Sequence, residues 1–180
     1  ATNCRMKIIE TDKSCEHILG ERLPHVTLPL TNGLSVTLSK LVGTTVVFCY
    51  PMTSKPGADG PVGWDKIPGA KGCTIQNCSY KDNFSKFLKL NASIYGMSTQ
   101  DTDYQREMAE RLRLPFPIIS DAKFEFCNSM RIPTFTVDNK RLMKRVTLVV
   151  ENGVIEAVHF PISQTASDPN WVISFLTSRV

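Results

Sequence analysis

The stretch GCTIQNCSYKDNF, residues 72–84, places Cys73 and Cys78 at the start of an amphipathic helical pattern. It follows a long segment rich in proline and glycine, so Cys73 falls in the first turn of the predicted helix. Backbone N–H groups without helical partners and the positive end of the helix dipole point toward a side chain at this position. Such surroundings favour the thiolate, which is the nucleophilic form of cysteine. We therefore predict that Cys73 carries the chemistry.

Cys78 supplies a second sulfur five positions after Cys73. In an intact helix, Cα atoms five residues apart are separated by roughly 8 to 9 Å, from a rise of about 1.5 Å and a turn of about 100° per residue. A disulfide spans about 4.4 to 6.8 Å between Cα atoms. The two sulfurs can therefore bond only if the first turns of the helix unwind. This geometry fits a redox cycle, in which one cysteine is oxidised and resolved by its neighbour, better than a structural disulfide.

Two segments of the chain resemble the peroxiredoxins, and within them the bacterioferritin-comigratory-protein or PrxQ branch. In that branch Thr-x-Gln-x-Cys follows the peroxidatic cysteine, as it follows Cys73 here, and residues 79–82 resemble the family's continuation. The segment RVTLVV, residues 145–150, resembles the family's Arg-x-Thr-aromatic-Val strand, whose arginine faces the peroxidatic sulfur. The resemblance extends from Leu19 to the C-terminus.

The resemblance implies a set of site residues. Cys73 would be the peroxidatic cysteine, Cys78 the resolving cysteine that forms an intramolecular disulfide with it, and Arg145 the third catalytic residue. The residues that would bind the peroxide substrate are Gly72, Thr74 and Pro51. The resemblance implies no metal and no organic cofactor.

The sequence departs from the family pattern before Cys73. The family carries proline seven residues and threonine or serine three residues before the peroxidatic cysteine, where this chain has Lys66 and Ala70. If the family proline is instead Pro51, the loop to Cys73 is 22 residues long rather than 7, an insertion of 15. The hydroxyl that helps to hold the peroxide is then unassigned. Its candidates are Thr53, Ser54 and Thr74, and a backbone N–H could serve in its place.

The inserted loop, residues 52–71, contains Trp64 among several prolines and glycines. Loops of this length in compact domains are usually functional or disordered. Two interpretations stay open at this point. One is a lid whose Trp64 packs beside Cys73, and the other is a passive surface insertion.

The rest of the chain alternates between strand and helix patterns. Strands are predicted at residues 25–30 and 34–38, joined by an Asn-Gly turn, at 44–50, 92–98 and 116–120, and in a terminal hairpin of 145–151 and 154–160. Helices are predicted over residues 73–90, 102–113, 123–131 and 168–177, the last burying Trp171, Val172, Phe175 and Leu176. This order predicts an α/β, thioredoxin-like fold: a central mixed sheet flanked by helices, with an N-terminal hairpin extension. Residues 1–18 would form an N-terminal extension and residues 19–180 the peroxiredoxin domain.

Composition narrows the function classes. The 180 residues suffice for one domain, and no apolar run approaches the roughly 18 residues that span a bilayer. The net charge is +4, but lysines and arginines are scattered rather than gathered with aromatic residues in a stripe, so we expect neither nucleic-acid nor membrane binding. The six cysteines have irregular spacing, which indicates a reducing compartment. We expect the cytoplasm, with an organelle left open because the chain starts at Ala1 without a methionine.

The remaining cysteines are expected to be inert. Cys4 and Cys15 are predicted to be exposed or half-buried thiols, and Cys49 to pack in a buried strand. Cys127 falls in a short predicted helix, where a second resolving role is the less favoured alternative.

Two functions of different classes are consistent with the sequence. The first is a thiol-dependent peroxidase that reduces hydrogen peroxide and organic hydroperoxides, with a thioredoxin-like or glutaredoxin-like reductant as its partner. We expect a monomer or a weak homodimer. The second is a redox-sensing binding module that the Cys73–Cys78 disulfide switches. A thiol–disulfide oxidoreductase is disfavoured because no Cys-x-x-Cys spacing occurs.

Overall fold

The computed structural model describes residues 12–56, 60–63 and 72–179. Its strands, in chain order, are β1 (Thr27–Pro29), β2 (Ser35–Thr37), β3 (Thr44–Cys49), β4 (Ala92–Ser98), β5 (Ile118–Ser120), β6 (Thr134–Val137), β7 (Lys140–Met143), β8 (Val146–Glu151) and β9 (Val154–His159). Its α-helices are α1 (Cys73–Asp82), α2 (Phe84–Lys89), α3 (Thr102–Arg111), α4 (Glu125–Ser129) and α5 (Asp168–Ser178). Short 3₁₀ helices lie at Glu16–Ile18, Leu38–Lys40 and Thr165–Ser167.

A five-stranded mixed sheet in the order β5-β4-β3-β8-β9 forms the centre of the fold. The strands β3, β4 and β5 are parallel neighbours, whereas β8 runs antiparallel to both β3 and β9. Helices flank this sheet, and β1 and β2 form the N-terminal hairpin. The predicted α/β, thioredoxin-like class is therefore confirmed, as is the N-terminal hairpin.

Both faces of the sheet are buried, which explains the nearly continuous apolar sequence of β3. Val46 and Phe48 point into one core cluster, which they share with residues of α1, α2 and α5. Val47 and Cys49 point into a second cluster, which includes residues of α4 and of the N-terminal segment. The alternation follows from the two-residue period of a strand. The sheet is therefore packed on both faces, so the ends of its strands have fixed positions that can support a functional site.

Strand pairing brings the predicted site residues to one edge of the sheet. Arg145 directly precedes β8, and the first residue of β8, Val146, pairs with Cys49 at the end of β3. The chain leaves β3 there and reaches Cys73 at the start of α1. Open α/β sheets place their sites at this carboxyl end of the parallel strands.

Helix α1 is shorter than predicted. The sequence pattern predicts one helix over residues 73–90, but α1 ends at Asp82 and α2 begins at Phe84. Asn83 lies between them, and its side-chain amide donates to the backbone carbonyl of Ser79 at 2.8 Å. Asparagine side chains compete for backbone groups in this way, which favours a break over helix continuation.

Two further predictions about burial were wrong. Trp171 is 36% exposed rather than buried, because it lies on the outer face of α5 and stacks on His159 with ring centroids 4.4 Å apart. Cys15 was expected to be exposed or half-buried, but it is buried against the core with Ile18. The described part of the N-terminal extension therefore packs on the domain, and the boundary after residue 18 stays a prediction.

The β6–β7 hairpin was not predicted from the sequence pattern. This hairpin turns at Asp138 and Asn139, which both have positive φ angles, of 49° and 59°. Two adjacent left-handed residues are typical of a tight hairpin turn whose twist matches the flanking strands. Without a glycine at the turn, the sequence signal is weak.

In the described ranges, no helix is long and apolar enough to cross a membrane.

Gly96 provides a test of the packing between β4 and its neighbours. A Cβ atom there would lie 2.6 Å from Ile118 Cδ1 and 3.0 Å from Phe48 Cζ. We expect Gly96→Ala to lower the free energy of unfolding by about 1 to 3 kcal/mol, because overpacking forces neighbouring side chains to shift. Urea unfolding measures this change in the free energy of unfolding. Ser93→Ala, at an exposed position of the same strand, is the control; equal stability of the two variants would contradict the packing.

Candidate active site

Cys73 is the first residue of α1 and is 2% exposed. The side-chain amide of Asn77 donates to the Cys73 carbonyl at 2.9 Å, which fixes the first turn of the helix. Gly72 precedes it as the N-cap residue. A Cβ atom on Gly72 would lie 2.4 Å from Thr165 Cγ2. A glycine is therefore needed there for close packing against the segment before α5.

Arg145 contacts the sulfur of Cys73. Its Nη2 donates to Cys73 Sγ at 3.1 Å, and its Nη1 donates to Gln76 Oε1 at 2.5 Å. Arg145 is 7% exposed, so its charge acts on the sulfur with little screening by water. The planar guanidinium meets sulfur and amide oxygen together, which one ammonium group cannot do in the same geometry.

Gln76 connects this pair to a buried carboxylate. Its Nε2 donates to Asp168 Oδ2 at 2.9 Å. The same oxygen accepts hydrogen bonds from Tyr80 Oη and Thr147 Oγ1, each at 2.7 Å. The other oxygen, Asp168 Oδ1, lies 2.7 Å from Nδ1 of His159. Asp168 has no exposed surface, and its four neighbours can all donate, which matches an acceptor-only carboxylate.

Two buried tyrosines border the site. Tyr80 stacks on Phe48 of β3, with ring centroids 4.2 Å apart and an interplanar angle of 8°. Burial raises the pKa of Tyr80 well above its ordinary value, so the residue stays a hydroxyl donor to Asp168. Burial likewise raises the pKa of Tyr50, at the end of β3, with a smaller contribution from the charge of Cys73.

The structure brings some predicted site residues together and leaves others apart. Cys73 and Arg145 are in contact. Cys78 is a partly exposed free thiol on the same helix, and α1 is continuous between the two cysteines. Thr74 is half-buried beside Cys73 in the chain, and Pro51 is buried just after β3. The substrate-binding roles of Gly72, Thr74 and Pro51 stay predictions.

The three candidate hydroxyls differ in burial. Thr53 is 3% exposed, and its Oγ1 has no hydrogen-bond partner among the described residues. Its backbone is held on both sides by Gln100, whose side chain accepts from Thr53 N at 3.0 Å and donates to Thr53 O at 2.9 Å. Ser54 and Thr74 are half-buried. Thr53 is thus the candidate with a buried hydroxyl still able to bind a ligand.

Several predictions concern residues outside the described ranges. The lid interpretation rests on Trp64, and the departures from the family pattern are Lys66 and Ala70, all of which lie there. Cys4 lies there as well. Among the described residues, no group of three or more histidine, cysteine, aspartate or glutamate side chains could hold a metal ion.

Asp168, His159 and Tyr80 are site residues that the sequence analysis missed. Asp168 is the first residue of a helix, where an aspartate usually lies at the surface and interacts favourably with the helix dipole. Its contacts with α1 span about ninety residues of sequence, so no local pattern could indicate them. Gln76 lies in the predicted motif and Arg145 was predicted, but the contact of Gln76 with Asp168 was not.

The sequence model of the Redoxin family matches residues 18–171 of the chain. The chain belongs to the Redoxin family. Within this family it is a peroxiredoxin of the peroxiredoxin Q type, in agreement with the Cys73–Cys78 motif.

Named relatives of this Redoxin-family chain include plant proteins. It is 30% identical over 142 residues to the chloroplastic peroxiredoxin Q of Oryza sativa subsp. japonica, covering 78% of this chain and 58% of the relative. It is also 30% identical to that of Sedum lineare, covering 78% and 67%. The chain thus spans little more than half the length of the rice relative.

Solved structures support the fold. Peroxidoxin BcpB from Mycobacterium tuberculosis superposes with a TM-score of 0.72 at 23% identity, covering 89% of this chain and 96% of that one. The bacterioferritin comigratory protein of Xanthomonas campestris superposes with a TM-score of 0.69 at 18% identity, covering 96% and 98%. At these identities the likeness shows the shared fold of Redoxin-family members.

The other thiols of this Redoxin-family chain differ in burial, and we expect this to determine how fast each is alkylated. Burial raises the pKa of Cys127 to about 11 and that of Cys15 to about 12, and it raises the pKa of Cys49 well above its ordinary value. These three thiols are therefore mostly protonated, and unreactive, near neutral pH. We expect iodoacetamide to label Cys78 much faster than these three, as measured by peptide mass spectrometry. Urea should equalise the rates; native labelling of Cys127 as fast as Cys78 would contradict the burial.

Proposed function

We propose that this chain is a thiol-dependent peroxidase that reduces hydrogen peroxide and organic hydroperoxides. The contact between Arg145 Nη2 and Cys73 Sγ is the observation that carries the proposal. It places a fixed positive charge beside the sulfur of Cys73 at the start of α1, and both residues are buried. A cation in such a place stabilises both the thiolate and the negative charge that develops on the departing oxygen.

The first step transfers one oxygen atom. The Cys73 thiolate attacks the nearer oxygen of the peroxide, an S–O bond forms and the O–O bond breaks. Cys73 becomes a sulfenic acid, and the departing alkoxide or hydroxide takes a proton to leave as alcohol or water. The second donor of Arg145, held by Gln76, keeps the guanidinium plane directed at the reacting atoms. Thr53 is the favoured hydroxyl for binding the peroxide, because its buried oxygen has no partner among the described residues.

The second step regenerates the enzyme. The Cys78 thiol attacks the Cys73 sulfenic acid, and a disulfide forms with loss of water. Because α1 is continuous between the cysteines, its first turns must unwind for the sulfurs to meet. A thioredoxin-like or glutaredoxin-like dithiol then reduces the disulfide by thiol–disulfide exchange. We place this cycle in a reducing compartment, either the cytoplasm or an organelle; the chloroplastic names of the plant relatives are compatible with the latter.

A redox-sensing module remains the second candidate. It is favoured by one observation: Gln76 and Tyr80, which lie on either side of Cys78 along α1, both bond to Asp168 at the start of α5. Disulfide formation would therefore disturb the contact of Gln76 with Asp168, which joins α1 to α5. Steady-state peroxide consumption with a dithiol reductant distinguishes the two candidates, because a sensor shows no net turnover.

The cysteine roles are tested by two serine variants. Cys73→Ser should abolish peroxide reduction, because a serine hydroxyl is not ionised near neutral pH. Cys78→Ser should keep the first oxidation rate but lose turnover and accumulate sulfinic acid, because attack on peroxide needs only one sulfur. Stopped-flow oxidation and intact-mass analysis measure these outcomes. Residual turnover of Cys73→Ser above about a tenth of wild type would refute its role, and a disulfide from Cys73 to Cys127 instead of Cys78 would refute the resolving step.

The guanidinium is tested by Arg145→Lys and Arg145→Met. Lysine keeps the charge but cannot serve Cys73 and Gln76 together, so we expect oxidation of Cys73 to slow about tenfold or more, and methionine to slow it further. Methionine should also shift the alkylation of Cys73 to higher pH. Arg141→Met removes an equal charge from an exposed position on β7 and is the control. Equal oxidation rates in wild type and both Arg145 variants would remove Arg145 from the reaction.

A further inference from the structure

We propose that Asp168 is a positioning residue for Arg145, acting through the side-chain amide of Gln76. This inference rests on the peroxidase function proposed above and deepens it. Asp168 lies on α5, Gln76 on α1 and Arg145 just before β8, so three separate elements meet in one chain of hydrogen bonds. The chain ends on Cys73 Sγ.

Asp168 determines the orientation of the Gln76 amide. An amide has a donor end and an acceptor end of nearly equal shape, and its partners decide which way it points. Asp168 Oδ2 can only accept, so it holds the Nε2 end of Gln76 at 2.9 Å. The Oε1 end must then face Arg145. With the amide reversed, two acceptors would meet at Asp168 and two donors would meet at Arg145.

Gln76 in turn restricts the plane of the Arg145 guanidinium. Because the group is rigid and planar, holding Nη1 on Gln76 Oε1 restricts where Nη2 can point. Nη2 then donates to Cys73 Sγ at 3.1 Å. A loosely held arginine would keep its charge near the sulfur but lose this alignment. Small misplacements of such groups lower rates by large factors.

Asp168 is built to hold this position. Its carboxylate has no exposed surface, and Tyr80, Thr147 and His159 fix both oxygens in addition to Gln76. His159 lies 2.7 Å from Oδ1 through Nδ1, and its ring stacks on Trp171. Residues from β8, β9, α1 and α5 therefore determine where the Gln76 amide is held.

Single substitutions at Asp168 give the first test. Asp168→Ala removes the acceptor, so the Gln76 amide can turn, and we expect oxidation of Cys73 by hydrogen peroxide to slow by about tenfold to a hundredfold. Asp168→Asn can keep its oxygen on Gln76 and its amide nitrogen on His159, so it should retain much more of the rate than alanine does. Single-turnover oxidation of reduced protein measures both. Equal losses in the two variants would assign the effect to charge and overturn the orientation role.

A reciprocal pair of substitutions gives the sharper test. Gln76→Glu places a second carboxylate against Asp168, and two adjacent carboxylates repel. We expect slow oxidation of Cys73 in this variant. Adding Asp168→Asn supplies an N–H donor to the new carboxylate, so the double variant Gln76→Glu/Asp168→Asn should be faster than Gln76→Glu alone. A double variant no faster than Gln76→Glu would overturn the proposal, and this comparison decides the case if Asp168→Ala does not fold.

A second readout separates positioning from stability and from the peroxidase function itself. The pH dependence of Cys73 alkylation by iodoacetamide reports the Arg145 contact without any peroxide, and it should lie at higher pH in Asp168→Ala than in Asp168→Asn, which loses the same charge but keeps an acceptor for Gln76. Asp121→Asn is the matched control, since Asp121 is also fully buried but caps α4 through the N–H groups of Phe126 and Cys127.

The outcomes distinguish the two proposals. Asp121→Asn should lower stability and leave the alkylation profile of Cys73 in place; an equal shift in Asp121→Asn would overturn the role of Asp168. If wild-type Cys73 is not oxidised by peroxide, the peroxidase function fails while the alkylation comparison still decides the positioning role. If wild type is oxidised rapidly and a folded Asp168→Ala matches it in both readouts, only the positioning role fails.

Discussion

Arg145 carries a permanent charge in the interior of the protein, and the arrangement of the site follows from that charge. The residue is 7% exposed, and a buried charge is tolerated only where hydrogen-bond partners replace water. Cys73 Sγ and Gln76 Oε1 supply two such partners from neighbouring turns of α1. The need to satisfy one guanidinium therefore fixes how the helix begins, and it also places the sulfur where a cation can act on it.

The mixed sheet makes this arrangement possible. Arg145 reaches the site because β8 runs antiparallel to β3, so that the start of β8 lies beside the end of β3. Helix α1 is held over the same strand by Tyr80, whose ring stacks on Phe48 and whose hydroxyl bonds to Asp168. The ring stacking and the hydrogen bond of Tyr80 therefore hold α1 in the same position. Because the buried polar groups of this network are bonded to one another, the loss of one member leaves its partners unsatisfied.

The sequence predicted the parts of the site that depend on local signals. Cys73 was identified from its place at a helix start, and Arg145 from its resemblance to a family strand; the structure brings the two into contact. Asp168 could not be predicted, because its role depends on α5 packing beside α1, and an aspartate in a first helical turn has the same local sequence whether it faces water or the core. The position of Trp171 on the outer face of α5 depends on the same packing.

For the fold, too, the features with local sequence signals were predicted and those that depend on tertiary packing were not. The long apolar strand and both Asn-Gly turns gave β3 and two hairpins correctly, because these signals are local. The break at Asn83 and the glycine-free turn of the β6–β7 hairpin were missed, since asparagine and aspartate occur in many local conformations. Tertiary packing selects one of these conformations, and the sequence alone does not state which.

On the proposed mechanism, α1 must meet two opposite demands. Its first turn must hold Gln76 against Arg145 while the thiolate reacts, and the same turn must unwind before Cys78 can reach Cys73. Asp168 contacts α1 at two places, one in the part that must unwind and one beyond it. It bonds to Gln76, which lies between the two cysteines, and to Tyr80, which lies after them and is also fixed by the Phe48 stack. Oxidation of a Cys73 thiolate to the neutral sulfenic acid removes the charge that Arg145 pairs with, so we expect the contact between Arg145 and Cys73 to weaken, whereas the contacts of Tyr80 do not depend on that charge. We therefore expect unwinding to be confined to the part of α1 that joins Cys73 to Cys78, with the part after Cys78 kept on the sheet by Tyr80.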